Sequence, residues 1–444
     1  MSAQTKLRVA ICGGGVGGLT LAYALSTCPD IDVTVYEAAA QFAEVGAGIG
    51  IWWRTRRILQ ALGLEADVTA IGGRFTDGKV PTLHYRKADQ PVGQGISTML
   101  SRGGLTTLHR ADFHAILLRR AQASPRCHTY TAKRLLSYTQ SASSRDPVRL
   151  RFQDGSTATC DVLLGADGIK SAARASMMQE KAAVAEQRHQ FAEAAELRDC
   201  IRPRYSGVQA YRTVIPGDKL ARIAPQHRVL TSPYQYLGRN RHVMAYPISR
   251  GRLVNLVVFD VKYNEEGSSL PEPWVSEADP RHVQRLFATW EPEVRQLLSC
   301  VDGLQMNRWA VNVVKPLPSY ASGRVALLGD AAHAMTPFQG AGAGQAIEDA
   351  YMLYTLLSHR LTTRSNVVRV LQVYSQIRLP MASRVADLSR RNGMYFALQG
   401  GGDVAARLPE LGQRIQQSFD WCSEMDPFVD VRRAVELLET SVGA

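Results

Sequence analysis

The chain has 444 residues and a formal net charge of +12, with 45% apolar, 21% charged and 7% aromatic residues. That composition is ordinary for a globular protein of two or three domains, and it excludes a disordered tail, a collagen-like fibre or a small disulfide scaffold. The basic residues are scattered, Arg54, Arg56 and Arg57 being their densest group, so the charge suits steering of small anions and no nucleic-acid partner is expected.

In chain order, Leu7 to Cys12 (LRVAIC) is a short apolar run that reads as a buried strand. Gly13-x-Gly15-x-x-Gly18 follows it and opens a helix carrying Leu19, Leu21, Ala22 and Leu25; Val33 to Tyr36 makes a second strand. Glycines interrupt the apolar stretch from Leu7 to Leu25, and no other segment reaches about 18 unbroken apolar residues, so neither a signal peptide nor a membrane partner is expected. Val162 to Leu164 and Val325 to Leu328 are further buried strands, each running into Gly plus Asp. Residues 176–200, rich in Ala, Glu and Gln, read as an exposed helical insertion. Residues 205–262 alternate as sheet, with turns at Gly238-Arg239-Asn240 and Arg250-Gly251. From Ala343 onward the pattern is mainly helical, with a break expected at Pro380.

The fold class is α/β. A Rossmann-like domain comes from residues 1–72, 105–178 and 301–375. A mainly antiparallel β-sheet domain, from 73–104 and 179–300, is inserted into it, and 376–444 form a helical C-terminus. The seven cysteines stand singly, without Cys-x-x-Cys spacing or His partners at ligand offsets. No metal site is expected, and free thiols suit a reducing, cytoplasmic compartment.

The glycine fingerprint has a specific physical content. Gly13 permits the tight turn, Gly15 lets a pyrophosphate approach the backbone, and Gly18 lets helix and strand pack closely. Val16 and Gly17 begin a helix whose free N–H groups face the phosphates. Glu37, followed by Ala38, stands at the end of the second strand, where a carboxylate can accept both ribose hydroxyls of an unphosphorylated adenosine. That favours NAD or FAD over NADP at this site. Asp167 and Asp330 each read in two ways, as a helix cap or as a partner for hydroxyls of a ligand chain. Of the dinucleotides only FAD carries a ribityl chain that needs such a partner.

With these motifs the sequence resembles the single-component FAD-dependent aromatic hydroxylases, and among them the salicylate hydroxylases. The resemblance rests on the glycine fingerprint, Glu44-Val45-Gly46-Ala47-Gly48-Ile49-Gly50, His109-Arg110-Ala111-Asp112-Phe113, and Gly165-Ala166-Asp167-Gly168 with Ser171 and Arg174. It extends to Tyr211-Arg212, Gly329-Asp330-Ala331-Ala332-His333, and Gly340-Ala341-Gly342-Ala343-Gly344-Gln345 followed by Glu348-Asp349-Ala350. It implies that Gly13, Gly15, Gly18 and Glu37 hold the ADP half of FAD, while Gly48, Arg57 and Arg110 lie along the flavin and its linker. Asp167 would lie near the pyrophosphate and the transient nicotinamide, and Asp330 would bond the ribityl chain. Gly340, Ala341, Gly342, Ala343 and Gly344 would run beside the isoalloxazine. Two departures stand out: Trp53-Arg54-Thr55 replaces the usual Pro-Asn-Ala, and Phe338 follows Pro337 where relatives often carry His.

The implied chemistry is that NADH or NADPH reduces FAD in passing, since the chain has no second Gly-x-Gly-x-x-Gly unit. O2 then adds at flavin C4a, and the hydroperoxide hydroxylates an electron-rich phenolic acid. With salicylate, attack at the carboxylate-bearing carbon releases CO2 and leaves catechol. The alternative is a different hydroxybenzoate or polyketide phenol without decarboxylation; a third reading is a basic FAD-binding protein without turnover. Arg212 would bind a carboxylate or phenolate, His242 would relay the phenol proton, and Tyr246 lies on the same strand face. Pro337 and Phe338 would face the flavin across the substrate. Plainer readings stand beside these: Arg212 in a salt bridge, His242 at a strand-edge surface, Tyr246 in the core, His333 as a structural partner of the Gly-Asp turn. The chain would act as a monomer or homodimer.

Overall fold

The central strands of the first sheet are buried along almost their whole length, as strands covered by helices on both faces must be. The computed structural model describes residues 5–42, 48–72, 76–141, 143, 146–399 and 407–442. The strands run in the order Ala321–Ser322, Val325–Leu327, Val162–Gly165, Leu7–Cys12, Ile31–Tyr36, Cys127–Tyr130. All pairs are parallel except the first. Cys12 pairs with Gly165 and Tyr36, and Gly165 pairs with Leu327. Gly13, Glu37, Asp167 and Gly329 therefore line one edge at the carboxyl ends of the strands, where open α/β sheets bind ligands.

Helix Val16–Ser26 packs on helix Gly342–Ser358. A Cβ at Gly17 would stand 2.9 Å from that of Ala346, so the absent side chain lets the two helices approach. Residues 176–200 are not an exposed insertion. They fold as Ala172–Gln187 and Phe191–Asp199, whose Met177, Met178, Ala182, Ala185, Ala194 and Leu197 are buried in the core of this sheet. The boundary expected at 178/179 thus cuts through a helix of the first domain.

The second sheet has eight strands in the order Val275–Glu277, Asn307–Val313, Arg204–Pro216, Leu253–Val261, Arg241–Ile248, Tyr234–Gly238, Lys79–Lys87, Gln94–Arg102. It is antiparallel except where Tyr234–Gly238 meets Lys79–Lys87. Asn307–Val313 carries it past the boundary expected at 300/301. One face, with Val243, Val254, Leu256 and Val258, is buried with Val283 and Leu297 of helices Pro280–Leu286 and Pro292–Ser299. The other face packs through Val257 and Phe259 against Phe338 and the C-terminal helices.

Helix Val367–Phe396 runs straight through Pro380, which is exposed. The proline removes one hydrogen bond, but Ile377, Met381 and Val385 on the buried stripe keep the helix docked on both sides of it.

Candidate active site

The glycine loop is built from contacts too close for any side chain. Gly13 has φ +112°, and a Cβ there would lie 2.1 Å from the Ala166 carbonyl oxygen; one at Gly18 would lie 2.0 Å from the Gly13 carbonyl oxygen. Gly15 is the extended N-cap of helix Val16–Ser26, which has neither a side-chain cap nor an acidic residue in its first turn. Its leading N–H groups and partial positive charge are open to an anion. Glu37 curls over this loop: its carboxylate accepts hydrogen bonds of 2.7 Å from the Gly14 N–H and 2.7 Å from the Ala39 N–H, with Ala38 in the turn between. His114, which the sequence did not single out, is buried and bonds the Gly14 carbonyl at 2.7 Å through Nε2, fixing the loop from behind.

The two aspartates separate clearly. Asp167 is a helix cap: its carboxylate accepts hydrogen bonds from the Ser171 hydroxyl and the Ala172 and Ala173 N–H groups. Its backbone, though, lies against the glycine loop. Asp330 is exposed, and its carboxylate accepts no hydrogen bond from any described residue. It is the one of the two free to take ligand hydroxyls. Asp330→Ala is expected to weaken flavin binding by about tenfold with little change in thermal stability. Asp167→Ala should instead cost about 1 kcal/mol of stability; flavin titration and thermal melts of both variants distinguish the roles.

A second open helix end belongs to Gly342–Ser358. Gly340 takes φ +57°, Ala341 caps helix Gly342–Ser358 without a side-chain bond, and no acidic residue enters the first turn. Gly344 lies against Thr55, where a Cβ would meet Oγ1 at 2.6 Å. Trp52 Nε1 donates to the Gln339 carbonyl at 2.9 Å, and Trp421 Nε1 donates to Gln339 Oε1 at 2.8 Å, so the C-terminal helices brace this loop.

The unusual Arg54 now has a role. It is 1% exposed, donates to Glu348 at 3.0 Å and to Asp430 at 2.6 Å, and so ties helix Trp53–Ala61 to Gly342–Ser358 and to the last helix, Pro427–Val442. Arg378 shares Glu348 at 2.9 Å and holds Asp349 at 2.7 Å; Asp349 also pairs with His333 at 2.6 Å and accepts the Gly329 N–H. His333 is thus a structural partner of the Gly329-Asp330 turn. Arg57 turns toward the last helix, its guanidinium 5.4 Å from the Trp53 ring and 5.3 Å from the Phe428 ring.

The wall facing the loop is the second sheet. Tyr246 stands against Gly48, where a Cβ would meet its hydroxyl at 2.6 Å, and Gly48 pairs with His109 beside Arg110. Glu44 to Ala47 of the same motif lie outside the described residues. Burial raises the Tyr246 hydroxyl to about 12 against the pull of Arg212, so it remains a donor at neutral pH. Arg212 lies over Trp309 at 5.6 Å. Its Nε is enclosed without a hydrogen-bond partner, and no ion pair to it exists among the described residues. Burial lowers its pKa; Tyr246 opposes this and Arg110 adds to it, so the three groups share one electrostatic neighbourhood. Pro337 is exposed and Phe338 is buried.

His242 does not fit the relay expected of it. It is fully buried, stacked at 4.4 Å on Phe259 and edge-on to Phe338 and Phe396, with Nδ1 bonded to Gln235 at 2.7 Å. The alternation is right, but the C-terminal helices close over this end of the strand. Burial pushes its pKa down to about 3, making it a neutral part of an aromatic wall. Between about pH 6.5 and 3 the unfolded chain then binds a proton that the folded chain refuses, so stability falls with pH by up to about 1.4 kcal/mol per unit. His242→Phe should flatten that slope in urea unfolding between pH 7 and 5; equal slopes would contradict it.

Two open helix ends, a glycine cradle with no room for a Cβ, the Glu37 carboxylate folded over that cradle and an Asp330 carboxylate with no partner among the described residues fit an extended dinucleotide with a ribityl chain. The family model of the FAD binding domain matches residues 6–389. The FAD-dependent monooxygenase str9 of Strobilurus tenacellus is 40% identical, covering 99% of both chains. A salicylate hydroxylase of Pseudomonas putida is 33% identical over 97% of this chain and 94% of its own. The structure of a salicylate hydroxylase substrate complex superposes with a TM-score of 0.80 at 29% identity, covering 97% of this chain and 98% of that one. Fold, cradle and relatives agree: the chain belongs to the FAD-dependent aromatic hydroxylases, near the salicylate hydroxylases, and is a monooxygenase that works with FAD, NAD(P)H and O2.

Proposed function

We propose that the substrate is a small phenolic carboxylate of the salicylate type and that oxygenation at the carboxylate-bearing carbon expels CO2, giving catechol. The observation that carries this reading is Arg212: a guanidinium with an enclosed, unpartnered Nε, lying over the Trp309 ring. Such a group costs free energy until an anion meets it, and a carboxylate matches its planar fork. Asp167 caps its own helix, so the cofactor-facing side would depend on Gly13, Gly15, Val16, Gly17, Gly18, Glu37, Asp330 and the Gly340–Gly344 loop.

Bound FAD supplies the electrons drawn from NAD(P)H and delivers one oxygen atom of O2 to the ring, the other leaving as water. The chain supplies the rest. Arg212 holds the carboxylate, with the charge of Arg110 nearby. Tyr246, kept protonated, donates at the Gly48 side. Trp309, Phe338 and Met244 keep water from the ring. The N-terminus of helix Gly342–Ser358 stabilises negative charge developing on the cofactor. The seven buried, free cysteines support a reducing, cytoplasmic setting. Among the described residues no helix is long and apolar enough to cross a membrane.

A panel of hydroxybenzoates and carboxylate-free phenols, scored for stimulated NADH oxidation and product identity, tests the reading. Stimulation is expected to require the carboxylate. A preference for phenols lacking it would turn the assignment toward simple hydroxylation.

A further inference from the structure

Strand register brings one more polar residue to the wall that holds Arg212 and Tyr246. Asn255, on Leu253–Val261, stands directly across from Tyr246 on one side and from Val214 on the other. Arg212 pairs with Val257, two positions further along the same strand. Side chains alternate between the faces of a strand. Val254, Leu256 and Val258 enter the core beneath the helices, while Val257 and Phe259 join the opposite core; Asn255 therefore projects on the side of Arg212 and Tyr246. It is 2% exposed, and its Nδ2 is enclosed with no hydrogen-bond partner among the described residues.

Leaving a buried amide donor unpaired costs about 1–3 kcal/mol. Two such donors, Asn255 Nδ2 and Arg212 Nε, occupy neighbouring positions of one wall. Two donors at diagonal positions of one face, with no acceptor among the described residues, call for a ligand that offers two neighbouring oxygen acceptors. A carboxylate with a hydroxyl on the next ring carbon has that pattern; a bare benzoate has only half of it.

We infer that Asn255 is a substrate-binding residue that donates from Nδ2 to the ring hydroxyl oxygen ortho to the carboxylate held by Arg212. The inference rests on the phenolic-carboxylate reading above and adds the group that selects the ortho hydroxyl. Tyr246, directly opposite, then borders the same oxygen from the Gly48 side.

The test compares salicylate with benzoate as ligands of the FAD-loaded enzyme, reading Kd from the perturbation of the flavin visible spectrum. Wild type is expected to bind salicylate more tightly than benzoate. Asn255→Ala should weaken salicylate by about tenfold or more and leave benzoate unchanged. Asn255→Leu, closer in volume, replaces it if the smaller residue unfolds the strand. Variants that keep the wild-type preference, or lose both ligands equally, overturn the assignment. Failure of wild type to bind salicylate would instead remove the substrate reading, and this inference with it.

Discussion

Arg212→Ala should lower kcat/KM by roughly a hundredfold or more while flavin content stays normal. Truncating one partner of a buried, hydrogen-bonded charge pair costs about 2–5 kcal/mol, and here the other partner is the substrate. Arg212→Lys should recover only part of the loss, because an ammonium cannot reproduce the planar fork. Stability should move the other way. Without substrate this half-buried guanidinium has an enclosed, unpartnered Nε and no counter-ion among the described residues, so Arg212→Met is expected to melt no lower than wild type, and higher if the desolvation cost dominates. Steady-state kinetics beside thermal melts check both halves. A variant with wild-type kinetics would take Arg212 out of the site.

Arg378→Ala should destabilise the fold by about 3–5 kcal/mol, the range for removing one partner of a buried ion pair. It would leave Glu348 and Asp349, 3% and 0% exposed, without their shared counter-ion. Burial alone would raise the Asp349 carboxyl, but His333, Arg378 and the Gly329 N–H outweigh it and hold it at about 2. A carboxylate depressed in the folded state contributes stability above its unfolded pKa of about 4 and loses it as pH falls toward 2. The acid limb of the wild-type profile should therefore lie in that interval and move upward in Arg378→Ala. Because Asp349 also fixes the Gly329 turn, flavin affinity should fall with stability. Urea titrations from pH 7 to 3 measure the first effect, and flavin titration the second.

How much of this was written in the sequence depended on the range of the interaction. The strand, glycine loop and helix at Leu7–Ser26 follow from a pattern only about twenty residues long, and the fold bears out the FAD-type cradle read from it. Residues 176–200 defeated the same method, because a buried Ala182 or Ala185 is the same letter as an exposed alanine. Arg54 had no legible purpose because its partners, Glu348 and Asp430, lie 294 and 376 residues away. At His242 alternation gave the correct face but not what covered it: Phe396 closes in from a helix that sequence reading had broken at Pro380. Asn255 was legible as a strand residue; its importance comes from register with Tyr246 and Val257–Arg212, which no local pattern states.

The most direct test of the whole account is turnover of salicylate labelled in its carboxyl carbon, with NADH and O2 supplied to the yellow holoenzyme. One labelled CO2 and one catechol should appear for each NADH consumed in the coupled reaction, and with Arg212→Ala both should form at a rate lower by roughly a hundredfold or more. Salicylate that leaves NADH oxidation unchanged, or a hydroxylated product that keeps its label, would contradict it.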